Sequence, residues 1–126
     1  MSAFELNDLM MSWYAMMGQD ASMYLALVSG YLLVAHYIGA KLSRAQSVVI
    51  NVFFTVWTML HVLALFSEMR AVVEIQQRLV DMGEFHFQTP SESLYLASMF
   101  MALQLAGILA ALYFMWTVRH PAQLRK

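Results

Sequence analysis

Apolar residues fall along this chain in long blocks, and the polar residues gather between them. Three stretches contain no Asp, Glu, Lys or Arg: residues 21–40, 45–67 and 93–118, which are 20, 23 and 26 residues long. About 20 helical residues cross a hydrocarbon core of about 30 Å, so each stretch is long enough to span a bilayer. Ahead of them, Leu6, Leu9, Met10, Trp13, Met16 and Met17 recur at three- and four-residue spacing, with Glu5, Asp8 and Ser12 off that face. The spacing predicts a short amphipathic helix over 3–17, closed by Gly18. It is too short to span but suited to lie in the interface, with Trp13 and Tyr14 at headgroup level.

Three capping boxes mark helix starts: Ser2 with Glu5, Ser43 with Gln46, and Thr89 with Glu92. In each, two orphan backbone donors at the first turn are satisfied reciprocally. Pro90 follows the third cap at the first helical position, where its missing N–H is not needed. The spanning helices are therefore expected over 20–42, 44–68 and 90–119, with almost no loop at the first turn. The second has no obvious stop at Glu68. Val72, Ile75, Leu79 and Met82 keep the helical spacing, Arg70, Glu74 and Arg78 stand four apart, and Gly83 is the first natural terminator, so this helix is expected to extend to about 82. The predicted fold is an all-α integral membrane protein, a single three-helix domain over 1–126.

Composition sharpens this. Of 126 residues, 61% are hydrophobic and 12% are charged, against roughly 25% charged in a soluble globular protein. A net charge of −1 gives no basic surface for nucleic acid. There is no cysteine, which removes disulfides and thiol chemistry. The first 20 residues hold neither a basic n-region nor a long apolar core, so no cleavable signal is expected, and no lipidation motif is present. Lys41, Arg44, Arg119, Arg125 and Lys126 lie at one end of the helices. Arg70 and Arg78 lie at the other, diluted by eight acidic residues. The positive-inside rule then puts the N-terminus outside and the C-terminus in the cytoplasm, in a bacterial inner (plasma) membrane.

Small residues repeat every four positions on the first helix (Ser22, Ala26, Gly30) and on the third (Ser98, Ala102, Ala106, Ala110, with Gly107 beside them). Such rows let helices approach closely in lipid, so they are expected to be packing faces, within one chain or between copies. Intramembrane polar residues are fewer. Counted from the hairpin end, His36 and Asn51 share a level with Tyr113 nearby, and His61 and Gln104 share a second level about 21–24 Å up. His61 is expected to hydrogen-bond Gln104, with Glu68 two turns above on the same face.

An ionisable residue inside the membrane is a functional candidate by default, so His36, His61 and Glu68 are candidates for cofactor or proton contact. A haem held by both histidines is excluded by the difference in their depth, about 15 Å, and His86 and His120 lie at opposite ends. Twelve methionines, most on the outer side, add Met99 and Met101 as Cu(I) candidates. The bland alternative is gap-filling thioether and helix-to-helix glue.

In length and helix count the chain resembles the small membrane anchors of respiratory dehydrogenases. The resemblance is one of gross form: their paired haem and quinone motifs are not here, and no residue role carries over. No nucleophile–base pair, metal cluster or phosphate loop is legible, so neither an autonomous enzyme nor a resident cofactor is expected. The expected role is a structural or accessory subunit that oligomerises or docks to a partner membrane complex. The rival is a redox or proton-handling membrane subunit in contact with quinone, a single haem or Cu(I).

Overall fold

The computed structural model describes residues 1–84 and 89–121. His86, Arg125 and Lys126 lie outside the described residues. Three helices make up the fold: α1 (Ala3–Ile38), α2 (Arg44–Asp81) and α3 (Pro90–Arg119), with a 3₁₀ turn at Gly39–Lys41 between α1 and α2. All three are long and apolar enough to cross a membrane. At 1.5 Å per residue they measure about 54, 57 and 45 Å, so α1 and α2 far exceed the core thickness.

Each start is a complete capping box. Ser2, Ser43 and Thr89 accept from the backbone of Glu5, Gln46 and Glu92, whose side chains accept from the cap N–H at 2.7–2.9 Å. The end of α2 is equally local. Gly83 takes φ +79°, its N–H donates to Val80, and the Glu84 N–H reaches back to the Leu79 carbonyl at 3.1 Å. This is the left-handed closure that glycine permits.

One boundary differs from expectation. No separate interfacial helix over 3–17 exists, and α1 runs unbroken through Gly18. Gly18 keeps a helical backbone, since Gly83 is the one residue with positive φ among those described. The cause is tertiary. Four residues of the apolar face expected to meet lipid meet the long end of α2 instead, while Leu9 and Met16 stay exposed. Leu6 packs with Ile75 and Leu79, and Met17 with Leu65 and Val72; Met10 and Trp13 join both groups. Burial of these side chains outweighs the roughly 1 kcal/mol by which glycine weakens a helix interior.

The seam between α1 and α2 is continuous. Leu6, Met10, Trp13, Met17, Asp20, Tyr24, Leu27 and Tyr31 alternate steps of four and three along α1. Ser47, Asn51, Phe54, Thr58, His61, Leu65, Glu68, Val72, Ile75 and Leu79 do the same along α2. That 3.5-residue repeat is the pattern of a left-handed coiled coil. The third helix closes the core with Ala97, Gln104, Ile108, Ala111 and Met115. At the centre, Tyr31 stacks on Phe54 with ring centroids 3.9 Å apart.

The small rows are not where the chain packs on itself. Ser22, Ala26 and Gly30 are exposed, and so are Ser98, Ala102, Ala106 and Ala110. A contact between them within one chain is therefore not made. The parallel pair α1/α3 meets one face over, where Gly107 lies against Tyr24, and Gly39 against Met115 and Val118.

Candidate functional site

Two ionisable side chains meet in the α1/α2 seam, and a third stands two turns further along α2. Asp20 and His61 stand at seam positions where an aliphatic residue would otherwise sit. His61 Nδ1 and Asp20 Oδ1 are hydrogen-bonded at 3.0 Å, and both side chains are about one-fifth exposed, at 18% and 22%. Two turns further along α2, Glu68 is buried, with 7% exposure. One oxygen of Glu68, Oε2, is buried and has no hydrogen-bond partner among the described residues. Met17, Leu65 and Val72 surround this level, and the Trp57 ring approaches His61 edge-on at 6.4 Å.

The chemistry of such a group is proton chemistry. An ionised carboxyl only accepts hydrogen bonds, whereas a protonated one also donates. Each of these groups, the Asp20–His61 pair and the Glu68 carboxyl beyond it, can take up and release a proton. Holding a metal is a different requirement: among the described residues, no three His, Asp or Glu side chains converge as metal ligands would. Two further side-chain atoms, Gln76 Oε1 and Ser93 Oγ, are buried without hydrogen-bond partners among the described residues.

His61 does not pair with Gln104. The Gln104 side chain is buried on α3, and its backbone carbonyl accepts the Tyr24 hydroxyl at 2.6 Å. Depth counting brought His61 and Gln104 together because each helix was counted from its own polar boundary. True register is set at the turns. Tyr31 and Asn51 stand ten residues either side of Lys41, and Asp20 and His61 are nearly as symmetric about it. The lower polar layer of His36, Asn51 and Tyr113 also does not form. Asn51 accepts from Tyr31 at 2.7 Å. His36 is exposed beside Tyr37, and Tyr113 is exposed beside Trp116. Met99 is exposed while Met101, two residues on, packs against the core, so they do not form a pair of thioether ligands.

Of the candidates, His61 pairs with Asp20, Glu68 lies two turns further along the same face of α2, and His36 is exposed elsewhere. Asp20, Tyr24 and Tyr31 were missed. The signal for all three is the four-three repeat of α1, visible once Gly18 is not taken as a stop. No known protein family, curated protein or solved structure matches the chain.

Proposed function

We propose that this chain is a structural or accessory subunit of a bacterial inner (plasma) membrane, with its N-terminus outside and its C-terminus in the cytoplasm. It self-associates or docks to a larger membrane complex. The observation that carries this reading is the outward position of Ser22, Ala26 and Gly30 and of Ser98, Ala102, Ala106 and Ala110. In lipid, a close helix partner gains packing where small side chains let backbones approach. Exposed Met11, Met16, Met23 and Met99 add an adaptable apolar surface at the outer end. Ala106→Leu is the test. Because Ala106 faces away from the chain's own core, the single-chain fold and its helicity are retained. The expected result is a smaller particle in native membrane extracts; an unchanged assembly size overturns the reading.

A second reading is favoured by one specific feature, the buried, unpartnered Glu68 oxygen beside the Asp20–His61 pair. On this reading the subunit handles protons, with His61 and Glu68 as acid–base groups and Asp20 orienting the imidazole. An infrared titration compares the wild-type chain with Glu68→Gln. A carboxyl band that titrates between pH 5 and 9 and vanishes in the variant supports proton handling; its absence from the wild type sinks it.

A further inference from the structure

At the opposite end from Glu68, the first turns of α2 and the last turns of α3 enclose a groove of about 360 Å³. Arg44 and Arg119 line it, with Ser47 and Asn51 deeper in and Trp116 and Met115 as apolar walls. No Asp or Glu lines it among the described residues. Arg119 is already positioned. Its Nη1 donates to the Leu42 carbonyl at 2.9 Å and the Gly39 carbonyl at 3.5 Å, which ties the guanidinium across the α1/α2 turn. A guanidinium has five N–H donors, and these bonds occupy one nitrogen. The first turn of α2 carries no acidic residue, so its unpaired N–H groups leave this corner electropositive.

The groove also has a defined depth. Arg44 immediately precedes the charge-free stretch 45–67, and Arg119 immediately follows 93–118. Two cations thus sit where headgroups meet hydrocarbon, over walls that turn apolar toward the core. We propose that this groove binds the phosphate of an anionic phospholipid in the adjacent leaflet. Arg44 and Arg119 hold the phosphate oxygens, and Trp116 and Met115 flank the glycerol and the first acyl carbons. Basic pockets between spanning helices are a recurrent form of headgroup recognition. The volume admits a headgroup phosphate and glycerol and leaves the acyl chains on the protein surface.

The proposal rests on the membrane reading, which is checked separately by retention of the chain in membranes after alkaline extraction. The test uses the full chain in detergent, titrated with dioleoylphosphatidylglycerol, dioleoylphosphatidylcholine or inorganic phosphate and read by native mass spectrometry and thermal unfolding. The anionic lipid is expected to bind and to raise the unfolding temperature, and phosphatidylcholine to do neither. Arg44 is exposed and makes no hydrogen bond to the described residues, so Arg44→Gln leaves the fold intact. Its loss is expected to weaken binding of the anionic lipid by about five-fold, the worth of one basic residue at a membrane surface. Equal binding of both lipids, or wild-type affinity in Arg44→Gln, overturns the proposal. Equal stabilisation by inorganic phosphate overturns it as a lipid site.

Discussion

A Cβ added to Gly107 would stand 2.5 Å from the Tyr24 hydroxyl oxygen and 3.7 Å from the ring carbon that bears it. The first distance is prohibitive and the second is ordinary contact. Gly107→Ala is therefore expected to destabilise the fold by about 1–3 kcal/mol, the usual range for overpacking. In a Tyr24→Phe background, the same change should cost little more, because the clashing oxygen is gone. The full cycle, measured by denaturation in detergent, distinguishes this contact from a general intolerance at position 107. His61 calls for a different pair of variants. His61→Ala removes the donor to Asp20 and is expected to cost about 1–3 kcal/mol, as for hydrogen bonds to a charged group. His61→Gln keeps an N–H donor and should recover at least half of that loss. Equal losses in both would mean that the ring itself, packed near Trp57, matters more than the bond. The choice of Asp20 over Gln104 as partner was not legible from depth. A count along separate helices carries an error of a turn or more, and one turn is enough to exchange partners.

At the scale of elements, two glycines make opposite predictions. Gly18 has a helical backbone and nothing within 4 Å of an added Cβ, whereas Gly83 holds φ +79°. Gly18→Ala should stabilise the protein by up to about 1 kcal/mol, since it adds helix propensity and meets no neighbour. Gly83→Ala should destabilise it by about 1–2 kcal/mol, the cost of a left-handed backbone with a side chain. A loss of stability in Gly18→Ala would restore a break between an N-terminal helix and the first span. The starts of the helices were readable because a capping box is chemistry confined to four residues. Glu5 and Glu92 show its electrostatic side: hydrogen bonds to Ser2 and Thr89 hold each carboxyl below its ordinary value of 4.5. A depressed folded value means that this stabilisation is present above pH 4.5 and is lost as pH falls through the lowered value. The protection factor of the Thr89 amide, which donates to Glu92, should therefore fall in acid, and Glu92→Gln should remove that acid step. Gly18 was misread for a complementary reason. Whether a glycine ends a helix depends on what the next turns bury, and the partner face of α2 lies more than forty residues away.

On the scale of the whole molecule, charge and shape point the same way. The α1/α2 seam continues past the level of His61 to Leu6 and Leu79, so these helices as a pair are longer than a core of about 30 Å is thick. Arg70, Glu74 and Arg78 lie exposed on the far part of α2, with Arg78 and Glu74 paired at 2.9 Å. Such mixed charge gives little orienting force. The other end holds Lys41, Arg44 and Arg119 within a short distance of the turn, without acidic neighbours in sequence to offset them. Translocating that end is the unfavourable choice, because cationic residues beside a span favour retention in the cytoplasm. A reporter active only in the cytoplasm should therefore work when fused after Lys126 and fail when inserted at Glu84, just past the end of α2. The insertion point leaves the Gly83 closure intact, so failure there reports location and not a broken helix. Reversing the balance by Lys41→Glu with Arg44→Glu should raise the fraction of inverted molecules. If the reporter at Glu84 is active in the unaltered chain, the orientation is the opposite one, and the Arg44–Arg119 groove faces the outer leaflet.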